Sequence, residues 1–203
     1  MKMMDAFKLG SVLTVYAVAA CVGLAFVYAG TEKIIEERAA ADLKEAIAGL
    51  FPDSDQFDDI SGGIKSVSPS VSFESAYAVK KDGAIVGVAL QAVTGSYGGA
   101  IAVLTGVKAQ GTISRIRVMR HSDTPGLGAN AAKSAFYVDR SRGITFAGQF
   151  EGKKVSDSFT AKQDVAAISA ATITSSAVAL AVKTAGESAL VWLKENGENG
   201  GTN

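Results

Sequence analysis

The chain has 203 residues, with 20 basic and 20 acidic side chains and a formal charge of zero. That balance excludes the broad basic surface that a nucleic-acid partner requires for phosphate neutralisation. One cysteine and one histidine exclude an internal disulfide, a cysteine-held iron–sulfur cluster and a His-rich metal site.

From residue 9 to residue 31 the sequence carries no charge: LGSVLTVYAVAACVGLAFVYAGT. About 20 apolar residues cross a bilayer core as a helix, so the run predicts a transmembrane helix over 9–30. Lys2 and Lys8 precede it, whereas Glu32, Lys33, Glu36, Glu37 and Arg38 follow as a mixed set. The positive-inside rule therefore predicts a cytoplasmic N-terminus, residues 1–8, with the body of the protein on the outer side. Two rival readings exist: a signal peptide cleaved after Val27-Tyr28-Ala29, and lipoprotein processing at Val18-Ala19-Ala20-Cys21. The apolar run exceeds the roughly 7–15 residues of a signal-peptide core. Cleavage at Cys21 would leave a hydrophobic mature end. A retained anchor is preferred.

Ile34, Ile35, Leu43, Ala46, Ile47 and Leu50 then recur at helical spacing until Pro52, predicting a stalk helix over 31–51. Asp, Ser and Gly dominate 52–72, which reads as a linker or loop. Strands are expected at 76–79 and 84–90, joined through Asp82-Gly83 as a hairpin. Residues 95–99, with three glycines, read as a flexible connector. A second pair of strands is expected at 101–107 and 112–119. In the latter, Ile116 and Val118 face one way and Arg115 and Arg117 the other. A loop at 121–128, a short helix at 129–137 and weaker strands at 144–150 and 155–159 follow. The last helix is expected from about Thr174 to Glu195, with a polar tail over 197–203. The body over 73–196 is an α+β domain: one antiparallel sheet with flanking helices.

Chemistry concentrates in two places. Ser169-Ala170-Ala171-Thr172-Ile173-Thr174-Ser175-Ser176 places five hydroxyls at the start of the last helix. A helix N-terminus presents unpaired N–H groups and partial positive charge, so it suits a phosphate. Small residues let a bulky group approach, and a hydroxyl can carry an ester. On these residues alone, an ordinary N-cap with surplus surface hydroxyls is the stronger reading. The second place is His121-Ser122-Asp123-Thr124-Pro125-Gly126-Leu127-Gly128. Pro125 fixes one backbone angle, Gly126 and Gly128 permit others, and Leu127 is free to cover an apolar ring. A tight turn before a helix is its plain alternative. His121 reads as a structural residue. Lys153 and Lys154 read as a solvated pair rather than phosphate ligands.

The hydroxyl stretch is similar to the Ser-Gly-Ala-Thr-x-Thr/Ser motif of flavoproteins that carry FMN on a threonine through a phosphoester. With HSDTPGLG, SYGGAI and the N-terminal anchor, the chain resembles the G subunits of Rnf ion-translocating electron-transfer complexes. It is similar, more distantly, to the C subunits of sodium-translocating NADH:quinone reductases. The resemblance covers the anchor and most of 74–183. It implies an FMN-binding domain over 73–196 and one covalent FMN on Thr172. Ser169, Ala171, Thr174 and Ser175 would surround it, with Thr124, Gly126, Leu127, Gly128 and Tyr97 from the preceding loops, and Gly98 and Gly99 flanking them. Thr174 is the fallback attachment site. Two departures stand out: the motif glycine is Ala170, and an aspartate ahead of the motif is Ala166, with Asp164 two residues upstream. The implied role is an electron relay between reduced ferredoxin and NAD, coupled to sodium or proton movement. Its partners would be the other Rnf subunits and a flavin transferase. Its place would be the cell membrane of a bacterium or archaeon, crossed once. Non-covalent FMN binding and a structural role with a degenerate site are the alternatives. Nothing in the sequence supplies a hydrolase triad around His121.

Overall fold

The computed structural model describes residues 3–197; the tail beyond them lies outside the described residues. The chain divides into two compact units, Met1–Glu45 and Ala46–Asn203. Most of the first belongs to α1 (Met3–Leu50). Its apolar side chains point outward on every side, Leu13, Tyr16, Leu24 and Phe26 among them. A helix apolar all round buries nothing by amphipathicity, which is the pattern of a lipid-facing helix. Gly10–Leu50 is long and apolar enough to cross a membrane by length and composition. Its serine and threonine hydroxyls are satisfied internally: Ser11 donates to the Lys8 carbonyl, Thr14 to Gly10 and Thr31 to Val27. No such group then demands water.

The second unit is built on a five-stranded antiparallel sheet in simple meander order: β1 (Gln56–Asp59), β2 (Ser72–Lys81), β3 (Ala84–Ser96), β4 (Gly99–Lys108) and β5 (Ile113–Arg120). Asp82 and Gly83 turn β2 into β3 with φ of +52° and +80°, the backbone that two-residue hairpins favour. Register sorts the faces. Val88, Leu90, Ala92, Val103 and Val107 belong to the main core, together with Val178, Ala181, Val182 and Ala185 of α2 (Thr172–Gly197). α2 also meets the length and hydropathy test for a membrane span, but most of that window is buried, so it is the core helix of this unit. Arg115 and Arg117 are exposed while Ile116 and Val118 are buried, the alternation expected from the sequence.

The opposite face receives Leu50 and Phe51. A side chain at Gly87 or Gly106 would meet the Phe51 ring at 2.8 and 2.9 Å. These two glycines form a socket for the ring. Ser114 Oγ donates to the Leu50 carbonyl at 2.6 Å, and Arg115 donates to Gly49, so the last turn of α1 keeps its orphan carbonyls paired.

Several expected elements differ. The segment 52–72, read as linker or loop, contains β1, which pairs with β2 along Gln56–Asp59. Alternation is masked there because β1 is an edge strand with both faces partly wet. Residues 95–99 are no flexible connector: Ser96 pairs with Gly99, leaving Tyr97-Gly98 as a two-residue turn. The helix expected at 129–137 is a single 3₁₀ turn, Gly128–Ala132. Asn130 Nδ2 closes back on the Gly126 carbonyl at 2.7 Å, and Tyr137–Asp139 becomes a strand, β6, paired with β7 (Ile144–Thr145). Past Thr145 no strand continues: Thr145 Oγ1 accepts from Gly148 N–H, a local bond that bends the chain. Residues 155–159 contribute Val155 and Phe159 to the core without a strand. α2 begins at Thr172, two residues earlier than expected.

Candidate functional site

At one end of the sheet β3 ends, β4 begins and β5 ends, and the N-terminus of α2 meets them there. A cavity of about 470 Å³ opens among these elements, lined by Tyr97, Asp123, Thr124, Leu127, Gly128 and residues 170–174. That volume lies within the range of small-ligand sites, roughly 300–1,000 Å³.

The loop and the helix are brought together by missing side chains. A Cβ on Gly128 would meet Thr174 Oγ1 at 2.5 Å and Asp123 Cβ at 2.8 Å. One on Gly98 would meet the Ser122 carbonyl oxygen at 2.2 Å. Asp123 fastens the turn between β3 and β4 to the loop: Ser96 Oγ donates to its Oδ2 at 2.7 Å and Gly98 N–H to its Oδ1 at 2.8 Å. Asp123 is only 5 % exposed. Tyr97 and Leu127 stand out on either segment, both exposed.

The start of α2 is left open. The first helical bond runs from Ser175 N–H to the Ala171 carbonyl, which makes Ala171 the N-cap. Alanine has no side-chain acceptor for the first amides, so among the described residues none caps them. The Ser175 hydroxyl works elsewhere: its Oγ accepts from Ile168 N–H and donates to the Ala171 carbonyl, both at 2.9 Å. Ser175 is fully buried, whereas Thr172 is only half-buried. Ala170 holds φ at +59°, the left-handed region in which glycine is at home.

Of the residues expected at the site, Tyr97, Thr124, Leu127, Gly128, Ala171, Thr172 and Thr174 line one cavity. Ser169, Ser175 and Gly126 do not line it; Ser175 and Gly126 (φ +81°) shape the backbone that does. Asp123, Ala170 and Ile173 also line the cavity; they belong to the two quoted stretches but are not among the residues expected at the site. Asp123 was within the quoted loop, and only its contact with the β3–β4 turn distinguishes it from an ordinary surface acid. Lys153 and Lys154 line no part of the cavity. Lys153 Nζ reaches Asp164 at 3.3 Å. Burial opposes ionisation of Asp164, but hydrogen bonds from Ser158, the Thr160 and Phe159 amides and Lys153 outweigh it, holding its pKa far below the usual carboxylate range. At the place of the missing aspartate, Ala166 is clamped by Gln149, whose Oε1 accepts from Ala166 N–H at 2.7 Å and whose Nε2 donates to Ala166 O. His121 Nδ1 is buried without a hydrogen-bond partner among the described residues.

This cavity lies within a matched family region: residues 96–187 match the FMN-binding domain family. The chain is 30% identical to the G subunit of the Na(+)-translocating ferredoxin:NAD(+) oxidoreductase complex of Acetobacterium woodii, over 85% of this chain and 86% of that one. It is 31% identical to the G subunit of the ion-translocating oxidoreductase complex of Methanosarcina acetivorans, over 86% and 89%. The chain belongs to this family of G subunits. A further member, the G subunit of the proton-translocating ferredoxin:NAD(+) oxidoreductase complex of Clostridium ljungdahlii, is 29% identical over 89% of this chain and 90% of its own. These relatives align along nearly their whole length, so the family assignment covers more than the 96–187 match.

Proposed function

We propose that this G subunit is a membrane-anchored flavoprotein of an Rnf-type ferredoxin:NAD oxidoreductase, carrying one FMN ester-linked to Thr172 and relaying electrons during sodium or proton translocation. The observation that carries the reading is the uncapped start of α2 at a cavity that Thr172, Tyr97 and Leu127 all line. The residues fit the group. Unpaired amides and the helix dipole suit a phosphate, and the two apolar side chains offer surface to a ring system.

The charge of the cavity favours the covalent form over the non-covalent one. Among its lining residues none is cationic, and Asp123 is a carboxylate. A free phosphate monoester carries up to two charges, which this lining balances poorly. A phosphodiester carries one. An ester to Thr172 also prevents loss of the cofactor on the outer side of the membrane. Bound FMN supplies one- and two-electron redox chemistry. The polypeptide holds and screens it: Thr172 Oγ1 is the attachment atom, the first amides of α2 balance the phosphate, and Tyr97 and Leu127 displace water. Thr174, seated against Gly128, is the lesser candidate for attachment.

The membrane topology rests on α1, with the N-terminus cytoplasmic and the second unit outside. Other Rnf subunits are the lasting partners and a flavin transferase a transient one. The test is intact-mass analysis and in-gel fluorescence of the full chain co-expressed with a flavin transferase. The expected result is one added FMN, lost in Thr172→Ala. Flavin retained in that variant moves the attachment, and flavin lost on denaturing the wild type replaces the ester by non-covalent binding.

A further inference from the structure

Among the described residues Asp123 is the only charged group lining the cavity, and both its oxygens accept a hydrogen bond. Oδ1 accepts from the Gly98 amide and Oδ2 from the Ser96 hydroxyl. Among the described residues no lysine or arginine forms an ion pair with it. Its position is fixed from three sides: by those two donors, by the Ser122 backbone packed on Gly98, and by Gly128, which a Cβ would force against it. A buried carboxylate that is hydrogen-bonded and unpaired costs folding energy, because hydrogen bonds offset only part of the lost hydration. Clamping a hairpin does not require a charge: an asparagine keeps one acceptor oxygen for Gly98 N–H, and its amide can donate to the Ser96 hydroxyl, which also accepts. The charge itself therefore has a use.

We propose that Asp123 is a positioning residue whose negative charge holds down the reduction potential of a flavin in this cavity. Adding an electron near a fixed carboxylate is opposed by Coulomb repulsion, which the low dielectric of the buried side leaves only weakly screened. The same contact keeps Tyr97 beside the loop, so one residue joins cavity shape to electrostatics. This inference rests on the flavin reading above.

The experiment is a potentiometric titration, followed by flavin absorbance, of the full-length chain in detergent after co-expression with a flavin transferase. Asp123→Asn retains an acceptor for Gly98 N–H and removes the charge. It is expected to raise the potential by about tenfold in the reduction equilibrium, roughly 59 mV for a one-electron couple. Ser96→Ala keeps the charge and removes one of its hydrogen bonds, so it lowers the potential. An unmoved or lowered potential in Asp123→Asn overturns the assignment, as does an equal rise in Ser96→Ala, which would reveal turn geometry in place of charge. If Asp123→Asn does not fold, Ser96→Ala decides alone: a fall supports the assignment, and no change or a rise overturns it. A colourless wild-type chain defeats the flavin reading together with this one, whereas a coloured wild type with an insensitive Asp123→Asn defeats this one only.

Discussion

Replacing Ala170 by glycine should stabilise the protein, although alanine is the better residue almost everywhere else. Ala170 holds φ at +59° immediately before the N-cap of α2, and its methyl group is exposed, so no packing is lost with it. A Cβ in the left-handed region costs roughly 1–2 kcal/mol. Glycine returns about 0.4–1 kcal/mol of that through the greater freedom of the unfolded chain. The net gain is about 0.5–1 kcal/mol, or roughly 1–4 °C in melting temperature for a unit of this size. Guanidinium denaturation of the full chain in detergent checks it: the midpoint rises while the slope stays constant. Ala170→Val, which adds β-branching at the same angle, moves the midpoint down. A lower midpoint in Ala170→Gly would refute the left-handed assignment. The same substitution removes a methyl from the cavity wall, so flavin loading should not fall.

Ser175→Ala strips a fully buried hydroxyl from Ile168 N–H and the Ala171 carbonyl, and the unsatisfied amide should cost about 1–3 kcal/mol in denaturant titration. Gly128→Ala drives a Cβ onto Thr174 Oγ1; about 1–3 kcal/mol of overpacking and loss of retained flavin should appear together. Gly126→Ala meets open space and should cost only about 1 kcal/mol of backbone strain with flavin retained. Asp164 titrates below its ordinary value in the folded protein, so its contribution to stability is present above the unfolded carboxylate pKa of about 4 and is lost as pH falls below that. Denaturation midpoints at pH 7 and pH 3 should therefore differ less in Asp164→Asn than in the wild type.

The sheet was legible because its signals are local. Asp82-Gly83 sets one hairpin, and the alternation of Arg115, Ile116, Arg117 and Val118 assigns the faces of β5. β1 was missed because an edge strand of four residues, Gln56–Asp59, hides no face completely. The helix at 129–137 failed because Asn130 finds its partner in the Gly126 carbonyl, a side-chain choice that apolar spacing does not encode. At the site, the motif residues themselves were readable. Asp123 was not, since its importance comes from Ser96 and Gly98, 27 and 25 residues away in sequence.

The crowd of hydroxyls at the start of α2 resolves into different tasks. Ser175 faces inward and fastens the preceding turn through Ile168. Thr174 is buried against Gly128, where its oxygen would collide with any larger residue. Ser169 and Ser176 are exposed and make no side-chain hydrogen bond among the described residues. None of these caps the helix, and the N-cap position itself is Ala171. An ordinary helix start would have spent one of the hydroxyls there, because a Ser or Thr cap is worth about 1 kcal/mol over alanine. Leaving the amides open while Thr172 stands half-buried beside them gives up that stability at the one place where the cavity meets the helix. The glycine loop follows the same logic: Gly126 supplies a backbone angle, Gly128 supplies room, and together they bring Leu127 and Asp123 to the cavity that Thr172 borders.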